Sequence, residues 1–144
     1  MGRILAIDYG TKRTGLAVTD PLQIIATALE TVETSKVIGF FKNYFQNETV
    51  DEVVIGMPKK LNNEDSETAA SVKKFIELFK KNFPLLKVTE VDERFTSRIA
   101  QQTMITGGMK KKDRQVKGNV DKISATIILQ SYMQSKDRSM RKNL

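Results

Sequence analysis

The chain of 144 residues contains no cysteine, no histidine and no tryptophan. Without cysteine there is no disulfide framework, no thiolate nucleophile and no thiolate-ligated zinc. Without histidine the usual neutral-pH general base is missing, and with it every Ser-His or Cys-His arrangement. Long apolar runs are lacking too: none approaches the roughly 20 residues that span a bilayer, so no membrane partner is expected. Asp8 interrupts the apolar start, which does not read as a secretory signal, and Ala6 stands where N-myristoylation asks for Ser or Thr. A cytoplasmic location is the expectation. Any chemistry must run on carboxylates, hydroxyls, amines or a metal ion.

Positive charge, by contrast, is plentiful. Lys and Arg number 24 against 17 Asp and Glu, a net of +7. Residues 1–97 carry 13 basic and 14 acidic groups, net −1, and residues 98–144 carry 11 and 3, net +8. An excess confined to the last third suits a polyanion binder, above all a nucleic acid; a solvated, flexible segment would look the same. With 40% hydrophobic residues the chain can build one core. The expected organisation is a single domain over residues 1–136 followed by a basic, flexible tail at 137–144.

The apolar pattern gives the element order. Arg3–Asp8, Thr14–Thr19 and Ile24–Val32 read as strands joined by short polar links, an antiparallel meander. Val37, Phe40, Phe41, Tyr44 and Phe45 then fall on one helical stripe. Glu52–Gly56 is a strand with a continuous apolar run, the mark of burial on both faces. Ala69, Val72, Ile76 and Phe79 mark a helix that stops before Pro84. Leu85–Val91 is a fifth strand, Thr96–Ile105 a short helix, and Thr106–Lys117 a mobile basic loop. A last helix is predicted from about Asn119 to Ser135. The order β-β-β-α-β-α-β-α-α predicts an α/β fold: one mixed five-stranded sheet with helices on both faces.

Three acids stand out. Asp8 closes a buried strand beside a glycine turn, where α/β sheets place ligands and where an isolated charge is costly; it could instead merely cap the turn at Gly10. Glu93 follows the fifth strand, although Arg94 beside it offers an ordinary ion pair, and alternation does not choose between Asp92 and Glu93. Asp121 lies near the start of the last helix, in line with Ala125, Ile128 and Tyr132, although an acid there also suits the helix dipole. Acids at two strand ends and one helix start can converge on one sheet edge. Such a cluster repels itself unless a hard divalent cation neutralises it.

These residues sit in recognisable blocks. Asp8-Tyr9-Gly10-Thr11-Lys12-Arg13-Thr14-Gly15-Leu16-Ala17-Val18-Thr19-Asp20 resembles the opening signature of the YqgF family, also called RuvX. Val54-Ile55-Gly56-Met57-Pro58, Asp92-Glu93-Arg94-Phe95-Thr96-Ser97 and Lys117 with Asp121-Lys122-Ile123-Ser124-Ala125 resemble its later blocks, in the same order. The resemblance covers nearly the whole chain. Asn62-Asn63 replaces the glycine usual after the Gly-x-Pro loop, and Ser124 stands where alanine is commoner; neither change touches the acids.

The resemblance implies an RNase H-like fold and a metal-dependent nuclease with Asp8, Glu93 and Asp121 as catalytic metal ligands. It also implies Mg²⁺ or Mn²⁺ as cofactor, with two ions about 4 Å apart once substrate is bound. Members of the family are assigned to 5′-end maturation of pre-16S rRNA, and by an older assignment to cleavage of four-way DNA junctions. Lys12, Arg13, Arg94, Lys110, Lys111, Lys112, Arg114, Lys117 and Lys122 are the candidate nucleic-acid contacts. Junction cleavage requires a homodimer with two sites, whereas trimming an RNA end requires one. A binding module without chemistry is the alternative. An actin-like ATPase, which would share Asp-x-Gly-Thr, needs two such domains and more chain than 144 residues.

Overall fold

The structure, a computed structural model, describes residues 2–57, 67–92 and 117–142. Strands β1 (Arg3–Asp8), β2 (Arg13–Thr19) and β3 (Ala26–Glu33) come first, and a 3₁₀ turn (Thr34–Lys36) leads into helix α1 (Val37–Asn47). Then follow β4 (Val50–Met57), α2 (Glu67–Asn82), β5 (Lys87–Asp92) and α3 (Lys117–Lys142). The five strands form one sheet in the order β3-β2-β1-β4-β5. Short links make β1, β2 and β3 antiparallel neighbours, whereas α1 and α2 return the chain so that β4 runs parallel to β1 and β5 parallel to β4. The three parallel strands therefore end on the same edge, at Asp8, Met57 and Asp92.

Alternation along β1 and β4 divides the core in two. Leu5, Ile7, Val53, Ile55 and Met57 face α1 and α2, where Phe41, Phe75 and Phe79 complete the larger cluster. Ile4, Ala6, Ala17 and Val54 face the other way and pack against Ala125, Ile128 and Leu129 of α3. Two alanines on this face let a helix approach closely. No described helix is long and apolar enough to cross a membrane.

Several boundaries differ from those the pattern predicts, each for a physical reason. β3 starts at Ala26 because the Asp20 carboxylate accepts the N–H groups of Ile24 and Ile25, both at 2.8 Å, and holds them in a turn. Gln23 sits there at φ 60°, pinned by its side-chain amide donating to the Gly2 carbonyl at 2.7 Å. β5 starts at Lys87 because the N–H of Leu86 closes a turn onto the Phe83 carbonyl, 3.2 Å away across Pro84. Helix α3 begins at Lys117 and continues through 137–142, where a flexible tail is expected; Arg138, Met140, Arg141 and Lys142 favour helix, and no glycine or proline interrupts it. The helix expected at 96–105 and residues 106–116 of the loop expected at 106–117 lie outside the described residues, whereas Lys117, expected to end that loop, opens α3.

Candidate metal and nucleic-acid site

Asp8 is the last residue of β1, half-buried, and pairs across the antiparallel ladder with Gly15. The two-residue period that sends Ile4 and Ala6 toward α3 places Asp8 on that same face. The chain turns sharply after it. A Cβ on Gly10 would run into the Arg13 carbonyl oxygen, so only glycine closes this turn without displacing backbone. Thr34, at the start of the 3₁₀ turn, anchors the turn twice. Its N–H donates to the Lys12 carbonyl at 3.0 Å, and its hydroxyl donates to the Gly10 carbonyl at 2.6 Å. Having given its proton to Gly10, Thr34 accepts one from the buried Thr14 hydroxyl, 2.9 Å away. Tyr9 packs its ring on Phe75, centroids 5.0 Å apart, which ties the other side of the turn to α2.

The direction of α3 follows from its contacts. The Tyr132 hydroxyl donates to Glu52 Oε2 at 2.6 Å, and Lys136 Nζ lies 3.9 Å from Glu52 Oε1. Glu52 pairs with Ile4, at the opposite end of β1 from Asp8. Ala125, Ile128 and Leu129 pack further along the sheet. The helix thus runs antiparallel to β1, and its N-terminal half, which includes position 121, approaches the edge where β1, β4 and β5 end. Of the three predicted metal ligands, Asp8 has a described side chain, Asp121 a described helical backbone, and Glu93 lies outside the described residues. Accordingly, no group of three acids suited to a cation is assembled among the described residues.

The predicted nucleic-acid contacts divide in the same manner. Lys12 is exposed and Arg13 half-buried; with Thr11, Glu33 and Ser35 they line a shallow depression of about 420 Å³ beside the Asp8 turn. Lys117 and Lys122 have described backbone on α3, whereas Arg94, Lys110, Lys111, Lys112 and Arg114 lie outside the described residues. Two features escaped the sequence reading. The Thr14–Thr34–Gly10 chain joins residues 24 apart and left no local signal. Glu52 did leave one, an acid opening a strand that is otherwise buried on both faces. It is 5% exposed and accepts from Tyr132 and from the Thr89 hydroxyl at 2.8 Å. Burial opposes its ionisation, but those two hydrogen bonds, with Lys87 and Lys136 nearby, hold its carboxyl below the usual glutamate range.

Comparison with known proteins agrees with this geometry. Proteins of Bacteroides fragilis and Flavobacterium psychrophilum, each named "Putative pre-16S rRNA nuclease", are 54% identical over 136 residues, 94% of this chain and 99% of each relative. Among solved structures, T. thermophilus RuvC in complex with a Holliday junction substrate is similar at a TM-score of 0.55 and 15% identity, over 92% of this chain and 96% of that one. At that identity the likeness shows a shared fold, the RNase H-like one. A family model described as "RuvX: Holliday junction resolvase" matches residues 2–135. The sheet order, the acid closing β1, the helix crossing toward it and the near-full-length match together place the chain in the RuvX family.

Proposed function

We propose that this protein is a divalent-metal-dependent nuclease that hydrolyses phosphodiester bonds in the 5′-end processing of pre-16S rRNA. The observation that carries the reading is the position of Asp8: a half-buried carboxylate at the shared end of the parallel strands, on the face that α3 crosses. A carboxylate so placed, in a chain with no imidazole or thiolate to attract a softer ion, fits Mg²⁺ or Mn²⁺. Asp8, Glu93 and Asp121 would hold it. When bound, such an ion supplies Lewis acidity, which makes a water more acidic and offsets phosphate charge.

The remaining work falls to the chain's own residues. The Thr34-anchored turn keeps the Asp8 carboxylate where β1 ends. Lys12, Arg13 and Arg94 counter the charge of the phosphate beside it. Lys110, Lys111, Lys112, Arg114, Lys117 and Lys122 grip the nucleic-acid backbone, a sequence-independent attraction. The names of the relatives favour RNA as substrate. The family description names a junction resolvase, and this supports a second reading in which a homodimer cuts four-way DNA.

The test compares a pre-16S rRNA precursor with a four-way DNA junction, both in Mg²⁺, using the wild type and Asp8→Asn. The expected result is trimming of the precursor by the wild type and background cleavage by Asp8→Asn. Cleavage by Asp8→Asn at the wild-type rate would sink the assignment. Cleavage of the junction alone would transfer it to the second reading.

A further inference from the structure

The end of the sheet far from Asp8 carries a polar node in an otherwise apolar contact. Glu52, on the α3 face of β4, has a side chain only 7% exposed. It accepts hydrogen bonds from Tyr132 at 2.6 Å and Thr89 at 2.8 Å, and Lys87 and Lys136 lie 3.6 and 3.9 Å from its oxygens. Thr89 and Lys87 belong to β5, Tyr132 and Lys136 to α3. The node therefore ties the helix to two neighbouring strands through one carboxylate.

The apolar part of the α3 contact brings Ile4, Ala6, Ala17 and Val54 against Ala125, Ile128 and Leu129, with Ala26, Val91 and Met133 packed beside them. Apolar contact of this kind is non-directional, and the alanines at 6, 17, 26 and 125 offer little relief to resist sliding. A hydrogen bond between Tyr132 and a buried carboxylate is directional and charge-assisted. It sets both the axial position and the rotation of the helix.

The spans on either side match. From Tyr132 back to Asp121 is eleven helical residues, about 16 Å at 1.5 Å per residue. From Ile4, which pairs with Glu52, to Asp8 is four strand residues, about 13 Å. Fixing the helix at Tyr132 thus brings position 121 level with the end of β1. We infer that Tyr132 and Glu52 are positioning residues for the metal-binding edge: their contact holds α3 in the register that brings position 121 to the end of β1, where Asp8 lies. The inference rests on the proposed function, since it requires that Asp8 and Asp121 share a cation. It adds to that reading a fixed point at the opposite end of the sheet.

The discriminating pair of variants is Tyr132→Phe and Lys87→Met. Each removes one partner of the same carboxylate, but Lys87 belongs to β5, so only the first takes a bond from α3. Mn²⁺ binding to the full chain, without nucleic acid, is read by electron paramagnetic resonance of the free ion, with Asp8→Asn as control and thermal melts to verify folding. Tyr132→Phe is expected to weaken Mn²⁺ binding about 10-fold to 100-fold, the range seen when a support behind a metal ligand is lost. The Mg²⁺ concentration for half-maximal cleavage should rise by a similar factor. Lys87→Met should bind Mn²⁺ as the wild type does.

Wild-type Mn²⁺ affinity in Tyr132→Phe would overturn the inference while leaving the proposed function intact, provided Asp8→Asn has lost the ion. Equal weakening in both variants, in step with their loss of melting temperature, would also overturn it by reducing the node to general stability. Wild-type affinity in Asp8→Asn would overturn the shared site and the inference together.

Discussion

Thr19 is fully buried where β2 ends, and its hydroxyl accepts the Ile4 N–H at 2.9 Å while donating to the Asp20 carbonyl at 2.8 Å. Valine has the same shape and neither capability. Thr19→Val would strand a buried N–H, and a cost of about 1–3 kcal/mol is expected, read as a lower urea midpoint at unchanged slope. Tyr132 makes a prediction about pH. Burial and the bond to Glu52 push its ionisation up to about 12. A raised value in the folded state means that the neutral hydroxyl stabilises the fold at neutral pH. That contribution is lost as pH rises from the ordinary tyrosine value of about 10 through about 12. Glu52 has the opposite sign: its contribution is complete above the ordinary glutamate range and disappears as pH falls from there through its lowered folded value. Melting temperatures measured across the alkaline limb should therefore fall more steeply for wild type than for Tyr132→Phe.

The helices on the two faces of the sheet are held differently. α1 meets α2 and the residue that follows it through rings: Phe41 and Phe79 at 5.5 Å, Phe45 and Phe79 at 6.3 Å, Phe45 and Phe83 at 5.0 Å between centroids. Helical spacing made this layer legible in the sequence, since Val37, Phe40, Phe41, Tyr44 and Phe45 fall at i, i+3, i+4, i+7 and i+8, which a strand of period 2 does not place on one face. Phe79 is 1% exposed at its centre, and Phe79→Ala should cost about 3–5 kcal/mol in chemical denaturation. Mn²⁺ affinity under folding conditions should be unchanged, because this layer lies across the sheet from α3. The α3 layer was less legible. Its apolar residues were visible, but its length was not, because nothing in 136–142 marks a stop in either direction. Its orientation depends on Tyr132 meeting Glu52, residues 80 apart that no local pattern links.

Across the whole molecule, acids and bases are segregated along the chain. Residues 1–97 are close to neutral at net −1 and include Asp8 and Glu93, whereas residues 98–144 carry +8. If about six of those basic groups contact phosphates of a duplex, affinity should fall with salt at a log–log slope near −5. Replacing Lys110, Lys111 and Lys112 by alanine should reduce the slope by up to about 3, read by fluorescence anisotropy across a salt series. A slope unchanged by the triple substitution would move the grip elsewhere on the molecule.

Composition and local pattern by themselves determined a good deal. The absence of histidine and cysteine left oxygen ligands as the available chemistry, period-2 and period-3.6 spacing determined the order of strands and helices, and the ordered blocks around Asp8, Glu93 and Asp121 determined the family. These are local or additive properties, and a chain displays them without folding. The tertiary structure alone decided which strand ends share an edge, that β3 waits until Asp20 has released its turn, and that α3 is pinned at the end of the sheet opposite Asp8. Each of those depends on hydrogen bonds or packing between residues far apart in sequence, which exist only once the sheet has brought them together.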